Sequence, residues 1–374
     1  MKILEFMDMK STKYGGLDRF MVYLMQAMPQ DQFFFVFQNY PQSQSMVDDF
    51  TKCGAQIIVL DTDGKKAIKN IPAVISLFQK IKPDIIHFHF ANSFFLYAPI
   101  AKILGIKKIY KTQHCCLTTD TLKQITHKRE LSLKTKIASF NGLTYHVFDK
   151  IIMCGKYVKE QFESIYGESH RHMLIYFGVP AIQRLSTEKR DELKDQLHIH
   201  HDTPVIMTTA FADPVKGVDI LIQALPHIKY SNYTVLLVGL DEELILTKEL
   251  HTLAVSLKVD SHIRWIGITN EIYQYLSIAD IYCQPSRSEA LTLAVCEAKA
   301  MSLPVVGSNV GGLAEISNLL FETENPRDLG EKLNLLLSNP TIREKYAQDS
   351  YKQYKEAFDI HVGVSQYKRL YQES

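Results

Sequence analysis

The segment Pro285-Ser286-Arg287-Ser288-Glu289-Ala290-Leu291-Thr292-Leu293-Ala294-Val295-Cys296-Glu297-Ala298 carries the densest chemistry in the chain. It follows an expected strand and opens an expected helix. A helix start presents unpaired N–H groups and a partial positive charge, which suits phosphate oxygens. On one continuous helix, at about 1.5 Å rise per residue, Glu289 and Glu297 would stand roughly 12 Å and about 80° apart. A hydrolytic carboxylate pair works at roughly 5–9.5 Å. The spacing instead suits two hydroxyl-binding carboxylates flanking a diphosphate, with a sugar at one end and a ribose at the other.

Other candidates are weaker. His87 and His89 end the run Ile85-Ile86-His87-Phe88-His89 and, at period two, point the same way. They could line a substrate site or pair with backbone groups; a metal site would need a third ligand that the sequence does not show. Asp61-Thr62-Asp63 imitates an Asp-x-Asp metal motif and reads as a turn. None of the six cysteines has CxxC spacing, which supports neither a zinc site nor a disulfide framework and fits a reduced cytosolic compartment.

These residues need a scaffold, and the hydrophobic pattern supplies one. Short β-branched runs (Lys2–Phe6, Phe33–Phe37, Gln56–Leu60, Ile85–Phe88, Lys108–Lys111, Lys150–Met153, Met173–Tyr176) alternate with amphipathic stretches such as Ala67–Ile81 and Ser132–Phe140. The pattern restarts with Pro204–Thr208, Tyr233–Val238, Ile263–Trp265, Ile281–Cys283 and Pro304–Val306. Strand–helix alternation of this kind predicts α/β domains with parallel sheets. Residues 180–203, rich in charge after Pro180, interrupt the rhythm and mark a boundary. The expected division is an N-terminal domain over 1–180 and a C-terminal one over 181–356. A last helix over 357–374, with Val362–Tyr371 at its centre, packs back on the first domain. In such sheets ligands bind beyond the carboxyl ends of the strands, which predicts a cleft between the domains.

Composition is that of a globular enzyme: 374 residues, 46% hydrophobic and 22% charged. No apolar run reaches the roughly 18 residues a membrane span needs, and Met1–Phe6, with Glu5 inside it, reads as a strand rather than a signal peptide. The net charge of +1 hides a split. Residues 1–185 hold 24 Lys and Arg against 15 Asp and Glu, and the remainder 18 against 26. A basic half points to an anionic partner such as a membrane surface, although no dense Lys/Arg cluster of a nucleic-acid patch is present.

The run from Asp280 to Ile316 contains Glu289-(seven residues)-Glu297, Ala298-Lys299-Ala300-Met301-Ser302-Leu303-Pro304-Val305-Val306 and Gly311-Gly312-Leu313-Ala314-Glu315-Ile316. It resembles the retaining glycosyltransferases of family 4, and the likeness extends over nearly the whole chain. The resemblance implies the GT-B fold, two Rossmann-like domains facing a central cleft. It implies transfer of a hexose-type sugar from a nucleotide sugar, UDP-linked by preference, to a glycan or lipid-linked acceptor, in surface polysaccharide or glycoconjugate synthesis. It also assigns residues. Gly15-Gly16 matches the glycine loop where small residues let N–H groups approach phosphate or acceptor. His114, in Lys111-Thr112-Gln113-His114, matches the strand-end histidine that contacts the donor sugar. Lys216, in Asp213-Pro214-Val215-Lys216-Gly217, matches the lysine that neutralises the donor diphosphate. Gly239 ends the strand beside which the base packs. The N–H groups of Leu291, Thr292 and Leu293 hold phosphate, Glu289 orients sugar hydroxyls and Glu297 the ribose. No cofactor or metal is implied. A cytoplasmic enzyme, peripheral at the inner membrane face, is the corresponding expectation.

Three positions depart from the family pattern. Ala210-Phe211 stands where an arginine is usual, Tyr176-Phe177-Gly178-Val179-Pro180 replaces Asn-Gly-x-Asp, and Cys154 replaces a serine. Losing one cation from a diphosphate site removes a charge-assisted hydrogen bond, about 1.5–3 kcal/mol before compensation. The alternative reading is therefore an inactive GT-B subunit that stabilises an active partner. Lys216, Glu289, Glu297 and His114 together favour retained catalysis.

Overall fold

The computed structural model describes residues 1–62, 66–90, 93–116, 144–210 and 213–373. Asp63, the stretch Ser132–Phe140 and Phe211 lie outside the described residues. The chain forms two compact units, Met1–Phe177 together with Ile360–Ser374, and Gly178–Asp359.

The first unit is built on a seven-stranded sheet of β1 (Lys2–Phe6), β2 (Gln32–Phe37), β3 (Gln56–Val59), β4 (Ile85–Phe88), β5 (Lys108–Gln113), β6 (Lys150–Met153) and β7 (His172–Leu174), in the order β3-β2-β1-β4-β5-β6-β7. Every pairing is parallel. β2 reads Gln-Phe-Phe-Phe-Val-Phe and is buried at all but its first residue. Such a continuous apolar run belongs to a parallel sheet covered on both faces. The second unit carries β8 (Val205–Thr209), β9 (Thr234–Val238), β10 (Ile263–Ile266), β11 (Ile281–Gln284), β12 (Val305–Ser308) and β13 (Leu319–Phe321), again all parallel, in the order β10-β9-β8-β11-β12-β13. Its core gathers Ile206, Val235, Leu237, Ile281, Cys283 and Val306 from the strands with Leu221, Leu333 and Leu336 from the helices.

Some expectations change. Ala67–Ile81 is not one helix but two, Lys66–Lys69 and Ile71–Ile81, because Pro72 has no N–H to continue the first ladder. β13 escapes the sequence pattern, being only three residues long. The charged stretch 180–203 contains a helix, Thr187–Gln196, whose first turn is capped by the Ser186 hydroxyl accepting from Lys189 N. After a π-turn at Tyr354–Phe358 the chain enters its last helix, Ile360–Gln372. This helix packs on the first helix, Gly16–Ala27, where Phe20 meets the Tyr367 ring edge-on at 5.2 Å. A Cβ at Gly363 would lie 2.5 Å from Tyr176 O, so only glycine permits that approach. All six cysteines are free thiols. Among the described residues no helix is long and apolar enough to cross a membrane.

Candidate functional site

In the second sheet the chain order reverses between β8 and β11, and a crevice beyond the strand ends at such a switch point is where open α/β sheets take ligands. The turns leaving these two strands carry the sequence-predicted residues. After β8, Asp213 accepts a hydrogen bond from Val215 N at 2.9 Å and starts a single 3-10 turn, Pro214–Lys216. Gly217 follows at φ +65°, and a Cβ there would lie 2.0 Å from Pro285 O. The two turns are thus in contact through backbone. Arg287 N also donates to Val215 O at 2.7 Å.

This contact brings Lys216 to Glu289: Nζ and Oε1 lie 2.8 Å apart, with side chains 22% and 10% exposed. The Ser286 hydroxyl donates to the same carboxylate oxygen at 2.9 Å. Behind it runs a chain of polar side chains. Gln284 Nε2 donates to Ser286 Oγ at 2.8 Å, Tyr282 OH to Gln284 Oε1 at 2.9 Å, and Thr209 meets Tyr282 at 2.6 Å. Glu297 is held separately, by Tyr273 OH donating at 3.0 Å.

Glu289 does not sit on the helix. The helix runs Leu293–Ala300, and Thr292 before it has extended backbone and no side-chain cap bond. The separation worked out for a continuous helix therefore does not apply to Glu289 and Glu297. The reason is tertiary: Gly312 N donates to Glu289 O at 2.9 Å, and Gly311 and Gly312 press on the backbone of Glu289 and Ala290. This holds residues 285–292 as an open turn. Leu291 and Leu293 flank the helix start, partly exposed, with Thr292 buried between them. Gly239, at φ +96°, ends β9, where a Cβ would lie 2.9 Å from Ala210 O.

Arg287 was not singled out by the sequence. It forks onto Asp219 at 2.9 and 2.7 Å and reaches Glu324 at 2.5 and 3.1 Å. These carboxylates push its guanidinium further above its ordinary range. It clamps the turn, and its partners, 68 and 37 residues away, leave no local signal.

In the first unit the order reverses between β1 and β4. Gly15 and Gly16 open the first helix after β1, and Gly15 N donates to Asp18 Oδ2 at 2.8 Å. Burial raises the Asp18 carboxyl to about 6. His114 follows β5, stacked between Phe90 at 4.2 Å and Phe177 at 5.2 Å. Its Nε2 meets His89 Nδ1 at 3.0 Å. His87 and His89 neither line an open surface nor pair with backbone through their rings. Both are fully buried, bonded to Glu5, Thr112 and Tyr371. Glu5 supplies the third ligand-type side chain that the sequence did not reveal, since ligand atoms of Glu5, His87 and His89 lie within 4.8 Å of one another. Each of those atoms is engaged in a side-chain hydrogen bond, so the trio is part of a network. Desolvation first, then neighbouring histidines and Lys111, holds His87 well below the usual histidine value; the same causes act on His114. Lys111 is itself buried, which lowers its ammonium to about 8, and it lies 4.7 Å from the Phe94 ring centroid. In Asp61-Thr62, the Thr62 hydroxyl bonds Asp8 and Asp61 pairs with Lys66.

The family models divide the chain as these two sites do. Residues 14–181 match the model described as Glycosyltransferase Family 4, and residues 189–353 match Glycosyl transferases group 1. The chain belongs to glycosyltransferase family 4. This family 4 chain is 31% identical over 232 residues to an uncharacterised glycosyltransferase of Methanocaldococcus jannaschii, covering 60% of each. It is 28% identical over 194 residues to the N,N'-diacetylbacillosaminyl-diphospho-undecaprenol alpha-1,3-N-acetylgalactosaminyltransferase of Campylobacter jejuni, covering 50% of this chain and 49% of that one. The chain thus spans between half and three-fifths of the length of these curated relatives. Among solved structures, Anabaena HepE in complex with UDP superposes with a TM-score of 0.82 at 19% identity, over 99% of both chains. The fold is GT-B, two Rossmann-like units with parallel sheets.

Proposed function

We propose that this family 4 chain transfers a hexose-type sugar, with retention, from a nucleotide sugar to a hydroxyl of a glycan or lipid-linked acceptor, without a metal. The observation that carries the reading is the Lys216–Glu289 pair at the switch point of the second sheet. The pair holds a cation and a carboxylate in mutual balance beside an uncapped helix start. An arriving diphosphate competes for Lys216, whose second partner is then phosphate oxygen, and Glu289 turns to the sugar hydroxyls. Lys216 and the N–H groups of Leu291–Leu293 stabilise the charge that grows on the departing diphosphate. Glu297, braced by Tyr273, takes the ribose. Gly239 leaves room for the base. With Glu289 given to the sugar hydroxyls and Glu297 to the ribose, this scheme uses neither as a covalent nucleophile, and front-face displacement is the route to retention. The UDP in the HepE complex supports a UDP-linked donor. The name of the Campylobacter relative supports a lipid-diphosphate acceptor and a role in glycoconjugate synthesis.

Calorimetry with nucleoside diphosphate and with intact donor tests the assignment. Lys216→Ala should weaken both by about 10–100-fold, the loss of one charge-assisted bond. Glu297→Ala should weaken the free nucleotide, whereas Glu289→Ala should spare it and reduce only sugar-dependent affinity and turnover. Equal loss of free nucleotide in both glutamate variants overturns the roles. Tight donor binding by the wild type with no turnover on any acceptor favours the inactive-subunit reading.

A further inference from the structure

The interior of the first unit contains a run of side-chain hydrogen bonds whose directions follow from one carboxylate. Glu5, on β1 and fully buried, accepts from Tyr371 OH at 2.8 Å and meets His89 Nε2 at 2.9 Å. A carboxylate only accepts. His89 therefore carries its proton on Nε2, and as a neutral ring it has a lone pair on Nδ1. That lone pair faces His114 Nε2 at 3.0 Å, so His114 must donate from Nε2. The other arm has the same sense. Tyr371 uses its hydroxyl hydrogen as donor to Glu5 and must accept from His87 Nδ1 at 2.5 Å. His87 Nε2 then accepts from Thr112 at 2.8 Å, and Thr112 from Tyr367 at 3.0 Å. Every member has one role, with no conflict and no spare proton.

A charged His89 would reverse the last link. The assignment is that of the neutral ring, which is fully buried, with the His87 ring 4.2 Å away and the Glu5 carboxylate as its hydrogen-bond partner on Nε2. Among the described residues nothing hydrogen-bonds to His114 Nδ1, and the ring is itself only partly buried.

We infer that Glu5 and His89 are positioning residues that hold His114 in its Nε2–H form, so that Nδ1 is presented as an acceptor for a sugar hydroxyl. This rests on the reading of His114 as a sugar contact. It also sets a substrate class. A bare ring nitrogen accepts from a hydroxyl or an amide N–H and repels a carboxylate, so neutral hexoses are favoured over uronates at that place.

Long-range proton–nitrogen spectra of the full chain with isotope-labelled histidine test it directly, the His114 signals being assigned by their loss in His114→Asn. The expected wild-type ring is protonated on Nε2 and bare on Nδ1. A proton on Nδ1, or on both nitrogens, overturns the inference whatever the activity. Glu5→Gln can donate toward His89 and should populate the other His114 tautomer. It should lower kcat/KM about 10–100-fold, as loss of the partner behind a working histidine does. His89→Gln, whose amide donates to Glu5 while its carbonyl accepts from His114, should retain both tautomer and rate, whereas His89→Leu should retain neither. An unchanged tautomer in folded Glu5→Gln overturns the role of Glu5; if that variant does not fold, the wild-type spectrum and His89→Gln decide. Equal kcat/KM for a nucleotide-linked hexose and its uronate overturns the specificity. The expected spectrum without sugar transfer leaves the tautomer assignment standing and refutes the transferase reading instead.

Discussion

Gly312→Ala should displace the Glu289 turn while leaving both sheets folded. Gly312 has φ −68° and ψ −14°, a conformation alanine adopts freely, so the effect is steric alone. A Cβ there would lie 1.5 Å from Ala290 O and 2.6 Å from Ala290 C. Ordinary contact begins at 3.4 Å, so the turn must retreat by nearly 2 Å. It cannot retreat without carrying Glu289 along, because Gly312 N bonds Glu289 O and Arg287 N bonds Val215 O. Misplacing a reacting group by about 1 Å can cost about 100-fold. We therefore expect kcat/KM for the donor to fall at least about 100-fold, about 2.7 kcal/mol of transition-state stabilisation. Overpacking should cost about 1–3 kcal/mol of stability. Steady-state kinetics and nucleotide calorimetry, with thermal melting alongside, measure both. Gly267→Ala is the control, since its Cβ would find its nearest atom, Leu240 O, at 3.9 Å. A folded Gly312→Ala enzyme with unchanged kcat/KM would refute the claim that these glycines set the Glu289 turn.

Three further outcomes follow from the same geometry. Tyr371→Phe strands two fully buried partners, Glu5 Oε1 and His87 Nδ1, and should cost about 2–6 kcal/mol. Tyr367→Phe, which removes only a donor to Thr112, should cost about 0.5–1.5 kcal/mol; equal shifts in urea midpoints would contradict the network. His87 and His114 are held well below the histidine value of 6.5, so below that pH the unfolded chain binds protons that the folded one refuses. Stability should be full above pH 6.5 and fall by up to about 2–3 kcal/mol per pH unit beneath it. Asp18, raised to about 6, acts oppositely, stabilising below its unfolded value and losing that contribution as pH rises through 6. Asp18→Asn should therefore steepen the acid loss, and midpoints that do not change between pH 7 and pH 5 in both proteins would refute the assignment. Finally, full-length protein should bind anionic vesicles at low salt and release them near physiological salt; equal binding to neutral vesicles would show the basic half to be solvated surface.

Much was legible in the chain itself. A parallel strand buried on both faces must be an apolar run, so β2 and β9 announce themselves within a residue or so. The break at Pro72 is missed, because the apolar periodicity of Ala67–Ile81 runs on through it. The Pro285–Ala298 run marks a strand end followed by a helix on its own, because turns and periodicity are local. What the sequence could not supply were relations between distant residues. Glu289 leaves the helix because Gly312, 23 positions on, occupies the space beside it. Lys216 finds Glu289, and Arg287 finds Asp219 and Glu324, across turns that only the sheet order brings together. Glu5 is a lone charge in an apolar strand until β4 lays His87 and His89 beside it and the last helix brings Tyr371, 366 residues away in sequence, onto Glu5 and His87. Local propensity is written in neighbouring residues. A buried polar network is decided by which strands lie adjacent, since low-dielectric surroundings make each unpaired group costly and only the folded chain can supply its partner.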